Sequence, residues 1–337
     1  MSEPIIEAHD LRIEFRLGRN AVVKAVDGVS MSVNAGETFG VIGESGSGKT
    51  TLGRALVCLE RPTNGGIRHR GVDPWTLRGA TFRQHRRDFQ IIFQDSNAAL
   101  DPRMTILQSV LEPLEAADRL TDRQRETRAL EALDRVGLND LMAQRFPHEL
   151  SGGQKQRVNI ARALTLNPAL IVCDESVAAL DVSIQAEILN LLADLQRDRG
   201  LTYVFITHSL GVIGHISDRV AVMYLGQWVE LGNTNDILDR PLHPYTDALI
   251  SAEPLAQPPG ASTRERIILT GETPGPNAIP SGCRFRNRCA HAQAECAARV
   301  PEFREFAPGH WVACHFAGTV TGAASRDRAA TLRNAAS

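Results

Sequence analysis

The sequence predicts an α/β fold with a small cysteine-bearing domain at its C-terminal end, on three observations. ETFGVIG is an apolar run of buried-strand length that enters a glycine-rich loop, and residues at helical spacing follow. ALIVCDE, QAEILNLLADLQRDRG and YVFITH then repeat the order strand, helix, strand, as expected of a mostly parallel sheet covered by helices. After residue 250 the composition shifts to proline, glycine and small polar residues, and four of the 6 cysteines lie beyond that point.

Taken in order, residues 4–42 read as short apolar segments separated by turns. In TLGRALVCLE, Leu52, Leu56 and Leu59 share one helical face, and Pro62 with Gly65 and Gly66 marks the end of that helix. Residues 103–145 interleave charged and apolar positions at helical spacing with a stop at Gly137, and another helix starts near Ser151. EPLAQPPGASTRER and GETPGPNAIPSG set a boundary between a unit over 1–255, helical at 95–165, and a smaller unit over 256–318. Residues 319–337 carry few large apolar side chains and are expected to be a mobile tail.

Composition narrows the functions available. The chain of 337 residues is long enough for two units and a large core. A formal net charge of -2 argues against binding nucleic acid through bulk charge. MSEPIIEAHDLRIEF has no basic segment followed by an apolar core, so a cytosolic chain is expected. No apolar run reaches bilayer-spanning length, which makes any membrane role depend on a partner. In a reducing cytosol the cysteines are expected as thiols or metal ligands rather than disulfides.

GESGSGKT (Gly43, Glu44, Ser45, Gly46, Ser47, Gly48, Lys49, Thr50), followed by Thr51, fits a phosphate loop in full. Its glycines let successive backbone N–H groups turn toward phosphates, Lys49 reaches the outer phosphates, and the Thr50 hydroxyl suits Mg²⁺. In LSGGQKQR, Ser151, Gly152, Gly153 and Gln154 open a helix, which is either an ordinary N-cap or a positive helix end aimed at an anion. In IVCDES, Asp174 at the strand end suits Mg²⁺ and Glu175 suits polarising a water; the alternative, two solvated turn residues, loses weight beside the phosphate loop.

Together, GESGSGKT and LSGGQ resemble the ATP-binding-cassette family, and the resemblance covers roughly residues 5–315. It implies a RecA-like core, a helical signature subdomain and an antiparallel β part. It also implies that ATP with Mg²⁺ lies between the phosphate loop of one cassette and the signature of a second, so one chain holds two half-sites. On the same resemblance Gln94 in IIFQD is a Mg²⁺ and γ-phosphate sensor, His208 in FITHS contacts the γ-phosphate, and Asp181 bridges the two cassettes. Phe15 in LRIEF is either the aromatic that stacks on adenine or a core strand residue. The chain departs from the family pattern in DESVAALD, at Ser176 and Ala178, and at Ser209 after the histidine. An active ATPase is still expected, because the acids, base and phosphate ligands are in place.

FQDSNAALDPRMTI, HISDRVAVMYLGQWVELG and HPYTDALISAEP are similar to the ATPase subunits of bacterial oligopeptide and dipeptide importers, more to the second of the paired ATPases than to the first. This resemblance implies a heterodimer with a second ATPase, two transmembrane permeases docked near residues 95–105, and a solute-binding protein acting through them. The place implied is the cytoplasmic face of the inner membrane. Nickel complexes, sugars or opine-like compounds remain open as cargo. A soluble non-transport cassette ATPase would normally show two cassettes in one chain or a coiled-coil insertion, and neither is present.

Cys283, Cys289, Cys296 and Cys314 follow the spacing C-x5-C-x6-C-x17-C, while Cys58 and Cys173 read as small buried residues. Four thiolates suit Zn²⁺ or a [4Fe–4S] cluster, the lack of a C-x2-C pair weighs against a zinc knuckle, and unliganded thiols are the third reading. The stretch from PSGCRFRNRC to GHWVACH resembles the C-terminal domain of peptide-importer ATPases, some of which carry an iron–sulfur cluster. Arg284, Arg286 and Arg288 are expected to offset that cluster's negative charge.

Overall fold

The computed structural model describes residues 4–18, 21–117, 120–253, 267–275 and 278–319. Nearly all of the expected tail therefore lies outside the described residues. The chain opens with two strands, β1 (Pro4–Leu17) and β2 (Ala21–Asn34), paired antiparallel. β3 (Thr38–Ile42) enters the glycine-rich loop and α1 (Lys49–Leu56) leaves it; β4 (Asn64–His69) then returns to β1, giving a three-stranded sheet in the order β2-β1-β4. α2 (Gly79–Arg87) leads to β5 (Phe89–Ile92).

A helical part follows: α3 (Ile106–Ala117), α4 (Asp122–Arg135), α5 (Asp140–Ala143) and α6 (Gly152–Leu164). The chain then alternates through β6 (Leu170–Asp174), α7 (Val182–Arg199), β7 (Thr202–Ile206), α8 (Leu210–Ile216) and β8 (Arg219–Tyr224). β9 (Gln227–Asn233), α9 (Thr234–Asp239), α10 (Pro244–Ala252), α11 (Ala294–Ala298), β10 (Arg304–Ala307) and β11 (His310–Val312) complete it. Among the described residues the large sheet has eight strands in the order β10-β11-β9-β8-β3-β7-β6-β5. It is parallel from β8 through β5 and antiparallel at the β9, β11, β10 edge.

The central strands β3, β6 and β7 are buried at every position, the consequence of continuous apolar runs covered on both faces. On one face, α1 and the β1–β2 hairpin form a core through Leu52, Leu56, Val26 and Ile13; on the other, α6 and α7 pack through Ile160, Val158, Ile188 and Leu192. Thr121 with Gln124 and Ser151 with Gln154 form capping boxes that start α4 and α6.

The C-terminal segment is built onto the same body. β11 pairs with β9 through Trp311–Leu231 and Val312–Glu230, and Phe285, 2% exposed, packs among Tyr224 and Tyr245. Glu230, fully buried, accepts hydrogen bonds from the N–H groups of Leu242 (2.7 Å) and His243 (3.1 Å), and its Oε1 lies 2.7 Å from His310 Nε2.

Two local expectations are corrected. Residues 4–34 are not short segments but two 14-residue strands, whose alternate polar positions are the outer face of a hairpin; a register shift between Ala8 and Leu11 accommodates Asp10 at φ +43°. The first helix ends at Leu56 rather than running through Leu59, because Cys58 adopts φ +60°, leaving Leu59 exposed.

Candidate functional site

β3 is central in its sheet, so the loop after Ile42 opens at the carboxyl ends of the parallel strands, where α/β folds place ligands. A cavity of about 310 Å³ lies there, bordered by Ser45, Gly46 and Gly48 of the loop and by Lys49, Thr50 and Thr51 at the start of α1. The buried Lys49 donates from Nζ to the carbonyl oxygens of Gly43 and Glu44, each at 2.8 Å, so the ammonium is held across its own loop. Burial pulls its pKa below the usual lysine value, although Glu175, Asp174 and Glu44 act in the opposite direction. The loop is braced from outside: the Glu44 N–H donates to the Tyr245 hydroxyl (2.8 Å) and the Gly226 N–H to the Ser47 carbonyl (2.8 Å).

Asp174 ends the fully buried β6 and accepts a hydrogen bond at 3.0 Å from the Thr50 hydroxyl. Two hard oxygen donors thus sit together, a donor set that fits Mg²⁺. Burial raises the Asp174 pKa, and its neighbour Glu175 adds to the rise against the Thr50 hydrogen bond. Glu175 itself adopts φ +47°, and its N–H donates to the Ile206 carbonyl at 2.8 Å, which turns the carboxylate off the strand toward the cavity it lines. Gln94 donates to Glu175 Oε2 at 2.8 Å, and His208 Nδ1 lies 3.5 Å from Oε1. Gln94, Glu175 and His208, far apart in sequence, therefore converge. Ser209 caps α8 and donates to Glu253 Oε1 at 3.3 Å. Ser176 is buried, and nothing in the structure explains Ala178.

Ser151, Gly152, Gly153 and Gln154 start α6 with Ser151 and Gly152 exposed, and none of the four is among the residues lining the cavity. Asp181 is likewise exposed, before α7, with no capping hydrogen bond from its side chain. Ser151, Gly152 and Asp181 are thus exposed, while Gly153 and Gln154 are half-buried. Phe15 is 38% exposed on β1 opposite Val23, so it is not a core strand residue; Val23, not Phe15, lines the cavity.

Sequence reasoning missed the other walls. Lys24 and Ala25 come from β2, Leu225 from the β8–β9 turn and Ile279 from the C-terminal segment. No local motif marks them, because their role arises only when distant strands and the returning chain close around the loop.

Cys283, Cys289, Cys296 and Cys314 all line one small cavity with His291 and His315. Backbone N–H groups two residues on donate to three of the sulfurs: Phe285 to Cys283, His291 to Cys289 and Phe316 to Cys314. Burial raises the thiol pKa of each of these three, that of Cys314 to about 11. All six cysteines are free, and no group of three or more His, Cys, Asp or Glu among the described residues is arranged so that it could hold a metal ion as it stands. The arginines do not all serve the thiols. Arg284 pairs with Asp27 and the Leu225 carbonyl, and Arg288 binds Glu44 of the phosphate loop; Arg286 alone borders the cysteine cavity. Arginine's rigid fork suits two-point pairing with a carboxylate, and Arg288 makes such a pair with Glu44.

Comparison with known proteins agrees with this geometry. The ABC transporter family model matches residues 26–178, and the model for the oligopeptide/dipeptide transporter C-terminal region matches residues 229–296. The chain belongs to the ATP-binding-cassette transporter family and is an ATPase of that type. Within it, the chain is 48% identical over 320 residues to the oligopeptide transport ATP-binding protein AppF of Bacillus subtilis (strain 168), covering 93% of this chain and 97% of that one. It is also 48% identical to a putative peptide import ATP-binding protein of Brucella ovis, covering 92% and 97%. Among solved structures, a dimeric post-hydrolysis state of the cassette MJ0796 bound to ADP and Pi matches with TM-score 0.62 and 31% identity, over 68% of this chain and 98% of that one. CbiO1 from Clostridium perfringens matches with TM-score 0.63 and 27% identity, over 71% and 92%. No helix among the described residues is long and apolar enough to cross a membrane.

Proposed function

We propose that the chain is the ATP-hydrolysing subunit that powers import of oligopeptides or dipeptides across the bacterial inner membrane, held on its cytoplasmic face by two permeases. The observation that carries this reading is the division of labour in one chain: a complete phosphate-loop site, an outward-facing LSGGQ half-site, and a C-terminal region of the oligopeptide-transporter type. The naming of similar chains as oligopeptide transport and peptide import ATP-binding proteins supports the cargo class. The dimer of the related cassette MJ0796 supports pairing with a second cassette, here a sister ATPase in a heterodimer.

In this reading the loop N–H groups and Lys49 bind the phosphates, the exposed Phe15 stacks on adenine, and Thr50, Asp174 and Gln94 would hold Mg²⁺. Bound Mg²⁺ neutralises charge that develops on the phosphates. Glu175 takes the proton of the attacking water, while Gln94 and His208 fix its orientation and report on the γ-phosphate. Ser151 to Gln154 complete the partner's site, and Asp181 links the two cassettes. Closure follows from linkage: driving a dimer almost fully from open to closed takes about 5.5 kcal/mol of differential binding, which two sandwiched nucleotides can supply. Hydrolysis removes that bias and resets the permeases.

The test is reconstitution with two permeases and a sister ATPase of the peptide-importer type. ATP turnover is expected to rise when a peptide-loaded solute-binding protein is added. A rise only with another solute, such as a nickel complex, would select the alternative cargo; recovery of the chain on ribosomes or DNA without permeases would overturn the transport reading.

The unit over 256–318 is proposed to hold a [4Fe–4S] cluster through Cys283, Cys289, Cys296 and Cys314, with Zn²⁺ as the alternative. Convergence of the four thiols on one cavity supports ligation by them. The cluster would serve as a staple for a small unit, with no part in ATP chemistry. Anaerobically purified protein is expected to contain iron and acid-labile sulfide with visible thiolate-to-iron absorbance, all lost in Cys289→Ser. Zinc without iron would select the alternative, and neither metal would reject both.

A further inference from the structure

The second residue of the phosphate loop is an acid. A loop that must hold the negatively charged phosphates of ATP gains nothing from a carboxylate of its own, so the Glu44 charge has to be covered. Arg288 covers it. Its two terminal nitrogens meet the two carboxylate oxygens at 2.7 and 3.0 Å, and the Thr273 hydroxyl adds a third hydrogen bond at 2.7 Å. The guanidinium is buried and lies over the Tyr224 ring at 5.9 Å, so the pair is held in one geometry rather than sampled at a surface.

The same short loop reaches the nucleotide site a second time. Arg284 binds Asp27 and the carbonyl of Leu225, and the Leu225–Gly226 turn in turn holds the phosphate loop, its Gly226 N–H donating to the Ser47 carbonyl at 2.8 Å. Ile279 from the same segment lines the nucleotide cavity directly.

We propose that Arg288 is a positioning residue of the nucleotide site: by neutralising and anchoring Glu44 it sets the affinity of the phosphate loop for ATP, so the cysteine-bearing segment is part of that site. Arg288 acts through Glu44 and touches no phosphate. The inference rests on ATP occupying the phosphate loop and is independent of what the cysteines hold.

The test compares MgATP affinity and turnover in the full-length chain, with metal content measured on the same samples. Arg288→Ala is expected to weaken MgATP binding about 10-fold, roughly one charge contact's worth, with kcat changed much less. Arg288→Lys, which keeps the charge and loses the fork, should recover part of the affinity. In Glu44→Gln the charge that needs covering is gone, so adding Arg288→Ala should cost less than about 3-fold. Arg286→Ala is the control for general disturbance of the segment, since Arg286 bonds to Ser281 and not to the loop; it should leave MgATP affinity unchanged. Equal weakening by Arg286→Ala and Arg288→Ala, or undiminished affinity in folded Arg288→Ala, overturns the proposal. Loss of metal in Arg288→Ala with MgATP affinity intact also overturns it while leaving the metal reading standing. Metal-free wild type with weakened Arg288→Ala does the reverse.

Discussion

Glu175→Gln is expected to bind MgATP almost normally and to lose turnover by about 10²-fold or more, the usual contribution of a positioned general base. The substitution is nearly isosteric, so the hydrogen bond from Gln94 can still be accepted and the N–H link to Ile206 is untouched. What disappears is the carboxylate on which Gln94 and His208 converge, while the Thr50–Asp174 hydrogen bond and the Lys49 contacts to the loop carbonyls stay in place. Phosphate release measures turnover, and binding of a fluorescent nucleotide measures affinity. ATP should also accumulate in closed cassette pairs, visible by size exclusion, because the closing ligand is no longer consumed. Normal turnover in this variant would remove Glu175 from the base role.

Gly48→Ala should abolish nucleotide binding, by about 10²-fold or more, while the protein remains folded. Gly48 has φ +108°, a region L-residues rarely enter, and an added Cβ would lie 2.0 Å from the backbone carbonyl oxygen of Ala25 and 3.1 Å from Met223 Cε. Backbone cannot yield as a flexible side chain does, so the loop must move, and displacements near 1 Å at a binding constellation are enough for losses of this size. The core clusters lie outside the loop, so cooperative melting should persist. Gly46→Ala is the comparison: at φ +78° with open space around the added atom it carries conformational strain alone, and a smaller loss is expected. Isothermal titration with MgATP and thermal unfolding together decide the matter; retained affinity in Gly48→Ala would mean that the loop tolerates a shift this geometry forbids.

The phosphate loop, the LSGGQ helix start and the acids at the end of ALIVCDE were legible because each is a local device. A strand, a turn of glycines and a helix N-terminus lie within a few residues of one another, and their chemistry is written in backbone conformation and capping. Gln94 and His208 were readable only through their place in a motif order, and the structure supplies their physical meeting point at Glu175. The early strands were misread because period-two alternation broken by a bulge at Asp10 looks, in sequence, like short pieces separated by turns. The end of α1 was misplaced because nothing in VCLE announces a positive φ at Cys58.

Sequence alone determined an α/β fold with a phosphate loop and a cysteine-bearing C-terminal segment, and its motifs sufficed for a resemblance to the cassette ATPases, since strand, loop and helix-start patterns are short-range. Tertiary structure alone decided where the segment goes. Its strands extend the main sheet beside β9, Ile279 becomes a wall of the nucleotide cavity, and Arg288 reaches Glu44 across 244 positions of chain. The arginines between the cysteines looked like counter-charges for a metal cluster; once folded, two of the three answer carboxylates elsewhere, Asp27 on β2 and Glu44 of the phosphate loop. Which carboxylate an arginine meets depends on how the whole sheet stacks and where the returning chain docks, and no local spacing records that distance.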